Sequence, residues 1–460
     1  MRWGRWLILT LVWVLSGLPG AGLWPPAPDA SAAPDCFLPL EDGRCLPPPT
    51  PAVSAARSAA QPRAALASRG PYVLVKRKSD VPPGAFRAGL MAAGFPGAEA
   101  LAVPRWWRIP VPPGQEPEAV VERLRQRPDV ETAEVDREVR IALTPNDPYY
   151  YEYQWNLPKI RAPQAWDVST GSSSVVIAIV DTGVDYTHPD LTSMRLRLGW
   201  DFVHNDSDPM DDEGHGTHVA GIAGANTNNG VGIAGVCWGC DLLAVKVLAA
   251  TGRGWDSWVA QGIRYAADWG AASGKRTVIN LSLGGRDPSR ILADAVAYAQ
   301  GKGALIIAAV GNDGQNQLVY PAAYPGVIGV AATDSDDQQA SFSNSGAHVD
   351  LAAPGVDILS TFWGGTGYIF ADGTSMATPH VAGVAGLVWS ARPALTADQV
   401  CGILLRTAVD LGSPGRDDIY GYGRVNAEAA VRSLVPSPGP PPGPYRVYLP
   451  LVLSGPFRCP

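Results

Sequence analysis

Residues 174–183 read SVVIAIVDTG, six consecutive apolar positions, five of them β-branched, stopped by an aspartate and a glycine. A run with no polar alternation is what a strand buried on both faces requires. The pattern recurs in CDLLAVKVL at 240–248, RTVINLSLGG at 276–285, GALIIAAVGN at 303–312 and GVIGVAATD at 326–334. Helical segments lie between them, such as WVAQGIRYAADWG at 258–270 and ILADAVAYAQGKG at 291–303. Strands alternating with helices predict an α/β unit: a doubly wound, mostly parallel sheet with helices on both faces. Such sheets bind ligands beyond the carboxyl ends of their strands, so the polar residues that end these runs are the first candidates for chemistry.

Outward from this unit, placed at 143–434, the chain changes character on both sides. Toward the N-terminus, YVLVKRK (72–78), AFRAGLMAAG (85–94), RWWRIPVP (105–112), PEAVVERLRQRP (117–128) and VETAEVD (130–136) read strand, helix, strand, helix, strand. They form a small α+β unit within 71–142. Residues 34–70, rich in Pro, Ala and Ser, read as a linker. Before it, Arg2 and Arg5 precede an apolar run from Trp6 to Leu18, closed by Pro19, which predicts an export signal over 1–33. Beyond 434, SPGPPPGP (437–444) is a stiff linker leading to the apolar segment YRVYLPLVLSG (445–455), so that 435–460 is set apart. The expectation is an extracellular product, free or surface-associated, with no membrane span in its mature form.

A chain of 460 residues, 46% hydrophobic and 17% charged, has a substantial core. Its net charge of −7 is uneven: residues 145–434 hold 17 Lys/Arg against 29 Asp/Glu, a balance of −12. That excludes a nucleic-acid partner and suits bound hard cations. Six cysteines in an exported chain suggest disulfides, with 15 pairings open. Cys36/Cys45 and Cys237/Cys240 are local candidates, leaving Cys401 and Cys459. The CWGC motif at 237–240 could also be a redox pair or half a zinc site. With no second CxxC to complete a zinc site, a loop staple is the better reading.

Four polar residues stand at strand ends or helix starts. Asp181 follows VVIAIV, His215 opens HGTHVAGIAGA, Asn312 follows ALIIAAVG, and Ser375 lies in DGTSMATPHVAGVAGLVWSA, at the head of a long apolar helix. A serine hydroxyl is a poor nucleophile until an imidazole takes its proton. The imidazole needs a carboxylate to fix its tautomer, and the tetrahedral oxyanion needs donors. The Ser375 amide and the Asn312 side chain fit that last need. A lone Asp after a strand is usually a turn former and a lone Ser before a helix an N-cap; four in one frame are not explained that way.

The segments VDTGVDYTHPDL (180–191), GHGTHVAGI (214–222), AAVGNDG (308–314) and GTSMATPHVAG (373–383) resemble the Asp, His, oxyanion-Asn and Ser motifs of the subtilisin-like serine proteases, the subtilases. PNDPYY (145–150), SFSNSG (341–346), DLAAPG (350–355) and GYGRVNA (421–427) continue the likeness, which is nearest to the thermitase-like branch. The resemblance implies a subtilisin-like fold preceded by an inhibitory propeptide, and a serine endopeptidase of broad specificity, a monomer acting on proteins and peptides. It implies that Asp181 orients, His215 is general base and acid, Ser375 attacks and Asn312 stabilises the oxyanion. His188, His218 and His380 are implied to be structural.

It further implies that Ser282, Leu283 and Gly284 pair with the substrate backbone, opposite a strand containing Gly254, and that Ala309 and Gly311 line the pocket for the residue before the cleaved bond (P1). Val319 replaces the glycine that relatives often carry near that pocket's floor, so small to medium apolar P1 residues are expected. The unit at 71–142 is implied to be an intramolecular inhibitor released by self-cleavage near Ala142–Leu143. Structural Ca²⁺ is implied at Asp147, Asp190 and the Asn229 side chain, with backbone oxygens of Asn226, Val231 and Ile233. A second set, Asp201, Asp206 and Asp208, departs from the pattern, because His204 stands where an acidic ligand is expected.

Overall fold

A computed structural model describes residues 38–39, 45–46, 72–136, 143–193, 195–434 and Cys459. The export segment, most of the 34–70 linker, Cys36, Ala142 and nearly all of the C-terminal segment lie outside the described residues. Two compact units separate along the chain.

The smaller has four antiparallel strands, β1 (Tyr72–Arg77), β2 (Glu99–Ala100), β3 (Trp106–Pro110) and β4 (Val130–Asp136), in the order β2-β3-β1-β4. Helices α1 (Pro83–Ala92) and α2 (Pro117–Arg125) each start on a proline, whose fixed φ and missing N–H suit the first helical position. Val73, Val75, Ile109 and Ala133 from the strands meet Phe86, Leu90, Val120 and Leu124 from the helices. Phe86 and Trp107 pack edge-on at 5.7 Å.

The larger unit is built on seven strands: β5 (Val175–Asp181), β6 (Leu196–Asp201), β7 (Asp241–Lys246), β8 (Arg276–Leu281), β9 (Leu305–Ala309), β10 (Val327–Thr333) and β11 (Leu351–Pro354). Their order is β11-β10-β9-β8-β5-β7-β6, and every neighbouring pair is parallel. The sequence marks the five inner strands and misses the two at the edges. β6 (LRLGWD) is only partly buried and β11 is four residues ending in proline, both normal where one side has no partner to satisfy.

The unbroken apolar run of β5 now has its reason. Val175, Ile177 and Ile179 face one core, while Val176, Ala178 and Val180 face the other. Each fully buried aliphatic side chain contributes roughly 1.5–3 kcal/mol. The first core holds α3 (His215–Gly224), α6 (Thr374–Ala391), α7 (Ala397–Arg406) and α8 (Ala427–Arg432). The second holds α4 (Asp256–Ala272) and α5 (Arg290–Gly301). A hairpin of β12 (Ile358–Thr361) and β13 (Tyr368–Ala371) packs on α3. Disulfides join Cys237 to Cys240 and Cys401 to Cys459. Among the described residues no helix is long and apolar enough to cross a membrane.

Candidate active site

Asp181 ends β5, fully buried, at the point where the sheet reverses its winding. α3 begins beside it. Gly214, at φ 117°, takes the turn into the helix where a Cβ would strike the Phe362 ring, and a Cβ at Gly216 would lie 2.1 Å from Gly183 O. Only glycine lets the helix start approach the strand end so closely. Buried Asp211 serves as the cap that Gly214 cannot be: its carboxylate accepts from Glu213 N, Gly214 N, Thr217 N and the Thr217 hydroxyl at 2.5–3.0 Å. Gly216 N donates to Thr182 Oγ1 at 2.8 Å. Lys246, opposite Asp181 in register and 1% exposed, donates to Thr182 O (2.6 Å) and Leu248 O (2.8 Å) and pairs with Asp212 (2.5 Å).

These ties hold His215 Nδ1 2.7 Å from Asp181 Oδ1. Burial alone would lower the His215 pKa. The Asp181 carboxylate, by charge and hydrogen bond, then Glu213 and Asp211, outweigh it and raise the value. Burial pushes Glu213 up to about 7, and its carboxylate accepts from His215 N at 2.9 Å. Burial drives the other helix histidine, His218, down to about 3, and it contacts Ile369 O. His380, lowered to about 4 by burial, bridges Asn156 and Met376 O, and His188 contacts Gly367 O.

Ser375 is the second residue of α6, which packs on α3. Its hydroxyl donates to Ser282 O at 3.1 Å, and Ser282 Oγ donates to Ser375 O at 2.8 Å. Among the described residues His215 Nε2 is buried without a hydrogen-bond partner, so the serine–imidazole bond is not made in this state. Asn312 Oδ1 accepts from both Thr374 N (2.9 Å) and Thr374 Oγ1 (2.8 Å). A Cβ placed on Gly373 would lie 3.5 Å from Asn312 Nδ2 and 3.5 Å from Ser375 N, so both donors border one small space. A nucleophile at a helix N-terminus, a carboxylate-held imidazole and two donors can together form and stabilise a tetrahedral adduct.

The remaining candidates surround this centre. Ser282, Leu283 and Gly284 continue from β8, and Gly285 bridges Tyr320 through two 2.8 Å hydrogen bonds. Ala309 ends β9, and Gly311 follows at φ 100°. Val319 is buried between them: its methyl groups would lie 2.5 Å from a Cβ on Gly284 and 2.8 Å from one on Gly311. At Gly254 a Cβ would stand 2.3 Å from Val247 O.

Farther off, the loop 226–233 gathers the first cation set. Asp147 accepts from Asn228 N and Asn229 N, while Asp190 accepts from Asn229 Nδ2, Ile233 N and the Tyr368 hydroxyl. Asn226 N donates to Asp190 O, and Val231 N to Asn229 Oδ1. Burial raises Asp147 to about 6 and Asp190 to about 7, with the charge of Asp147 adding to the latter. In the second set, Asp201 and Asp206 pair through backbone hydrogen bonds of 2.9 and 3.1 Å, while the side chains are engaged elsewhere. Asp201 is taken by His204 Nδ1 at 2.8 Å, Asp208 accepts from the Tyr186 hydroxyl, and Asp206 caps Asp208 N. Among the described residues no three His, Cys, Asp or Glu side chains cluster as for a metal.

Sequence reasoning missed Asp211, Glu213 and Lys246 as supports of the site. The only signal was their position: two acids just before HGTH, and one cation closing an apolar strand.

The Subtilase family profile matches residues 172–423. Thermitase of Thermoactinomyces vulgaris is 50% identical over 289 residues, 63% of this chain and 99% of the relative. The thermophilic serine proteinase of Bacillus sp. (strain AK1) is 48% identical over 317 residues, 68% of this chain and 76% of the relative. Among solved structures, sphericase superposes with a TM-score of 0.56 at 35% identity, covering 60% of this chain and 98% of its own. With the serine, imidazole and carboxylate motifs inside the matched span, the chain belongs to the subtilase family and is a subtilisin-like serine endopeptidase.

Proposed function

We propose that this chain is an exported precursor whose unit at 143–434 cleaves peptide bonds through an acyl-enzyme on Ser375. The observation that carries the reading is the buried Asp181–His215 pair at 2.7 Å, beside a helix whose second residue is Ser375. Rotation of the Ser375 hydroxyl away from Ser282 O takes its proton to His215 Nε2, the buried nitrogen that has no other partner among the described residues. The oxygen attacks the substrate carbonyl, and the oxyanion accepts from Ser375 N–H and Asn312 Nδ2. His215 then gives the proton to the leaving amine, and water repeats the sequence on the ester. Asp181 holds the imidazole in one tautomer throughout and offsets its charge.

The substrate chain adds as a strand along Ser282–Gly284, with Gly254 on the opposite side. Main-chain pairing of this kind reads little sequence, hence a broad specificity. Val319 fills the P1 pocket between Gly284 and Gly311 and so favours small to medium apolar residues there. The α+β unit at 71–142 acts as propeptide and inhibitor, cut near Ala142–Leu143, and the mature product is an extracellular monomer.

Asp147, Asp190 and Asn229, with carbonyls of Asn226, Val231 and Ile233, would hold one structural Ca²⁺. The donors fit: hard oxygens, among them two buried carboxylates with no cationic side chain paired to them among the described residues. The ion would offset these two carboxylates, since the Arg195 guanidinium at this loop bonds Asn226 Oδ1 at 3.2 Å and not either acid.

The test is casein hydrolysis by secreted wild type and Ser375→Ala, with the intact mass of each. Wild type should be active with a mass beginning near residue 143, and the variant should remain an uncut precursor. Its loss should be on the order of 10⁶ in kcat, a figure for which subtilisin is itself the type case. Equal activity, or equal processing, in the two proteins would overturn the assignment.

A further inference from the structure

Three residues along the substrate edge from Ser282, a cavity of about 100 Å³ opens beside Gly285. Its walls include Val259 of α4, Leu292 of α5 and Leu283, and two acidic residues, Asp256 and Asp287, belong to its lining. Asp256 is half-buried as the first residue of α4; Asp287 is exposed. Neither makes an ion pair or side-chain hydrogen bond among the described residues. An apolar hollow carrying two unpaired acids matches a side chain with a methylene stem and a cationic head, where the stem covers Val259, Leu283 and Leu292 while the head reaches the carboxylates.

Distance along the strand says which substrate residue arrives there. The Ser375 hydroxyl touches Ser282 O, which marks the reacting end. Gly285 lies about 10 Å farther, at roughly 3.3 Å per extended residue. A peptide paired antiparallel along this edge therefore brings P4, the residue three before P1, to the cavity. The balance of −12 over 145–434 draws the same class of ligand toward the cleft.

We infer that this cavity selects substrates with lysine or arginine at P4, through Asp256 and Asp287. The inference rests on the reading of Ser282–Gly284 as the substrate-pairing edge. Anilides of the form X-Ala-Ala-Ala, with X as Arg, Lys, Leu or Glu, supply the test, together with a control that moves Arg to P3. The expected order in kcat/KM is Arg and Lys above Leu above Glu, with at least a tenfold gap between Arg and Glu at low ionic strength. The gap should narrow with salt, shrink when Arg is moved to P3, and close in Asp256→Asn/Asp287→Asn. If that double variant does not fold, Asp287→Asn alone should narrow the gap. Equal rates for Arg and Glu, an Arg gain that is the same at P3, or a gap that survives the substitutions would each overturn the inference and leave the endopeptidase reading intact. No cleavage of any peptide or of casein would remove that reading, and the P4 preference with it.

Discussion

In the proposed mechanism His215 must be neutral for Ser375 to be activated, so the surroundings of the imidazole would set the pH at which the enzyme works. Its pKa is raised by Asp181, Glu213 and Asp211 against the effect of burial, so the neutral base appears only above the ordinary histidine range. Activity should therefore rise with pH along an acid limb displaced upward from about 6.5. Glu213→Gln removes one of the charges that favour the imidazolium, and the limb should move to lower pH. The pH profile of kcat/KM on a small peptide ester measures it, and an unmoved or upward-moved limb would contradict the electrostatic account. At this scale the four principal residues were legible, because Asp181, His215, Asn312 and Ser375 each sit in a short motif with its structural context attached. Lys246 was not legible. A lysine closing an apolar strand reads as a solvent-facing end, and its partners Thr182 and Asp212 lie 64 and 34 positions away.

Between elements, packing decides specificity and part of the stability. Val319 fills the space between the segment after β8 and the one after β9, against glycines on both sides. Val319→Gly should empty that space and raise kcat/KM for a Phe P1 substrate relative to an Ala one by about 10–200-fold, the range that a methylene or two commands in an apolar pocket. A panel of P1-varied peptides shows it, and a wild type that already prefers Phe would refute the narrowing. On the far edge of the sheet, just before β11, Asp350 accepts from Gly329 N, and burial pushes its pKa up to about 7. A carboxyl whose folded pKa exceeds its unfolded value binds more protons when folded, so its contribution to stability falls as pH rises from about 4 to 7. Asp350→Asn should raise the Tm at pH 8 and change it little at pH 4; thermal unfolding at the two pH values checks the sign. The sheet was legible as α/β from its doubly apolar strands, whereas its order was not, since crossovers leave no mark in local periodicity. The edge strands β6 and β11 escaped for a related reason: the half-exposed residues of one and the proline of the other read as loop.

For the whole molecule, the open question is what a missing cation costs. If Ca²⁺ sits between Asp147 and Asp190, chelation with EGTA should lower the Tm, since an ion at a thousandfold its Kd stabilises by about 4 kcal/mol. At roughly 2–4 °C per kcal/mol for a large domain, the drop is on the order of 10 °C, and added Ca²⁺ should restore it. Asp190→Asn should be indifferent to EGTA by the same scan, and a wild type equally indifferent would dismiss the ion. The small α+β unit and the large α/β unit were read from their strand and helix runs, with proline-rich stretches on the outer sides, whereas the pairing of Cys401 with Cys459 was only what remained after local spacing had been used. That bond has a practical consequence for anyone handling the protein. Cys401 is buried in α7, and Cys459 lies 58 positions on, past the proline-rich stretch. Any single cut in the proline-rich stretch between them therefore leaves both pieces in one particle. Such a nicked sample would migrate as intact on a non-reducing gel and reveal its second fragment only after reductant, and an affinity tag fused after Pro460 would still retrieve the enzyme.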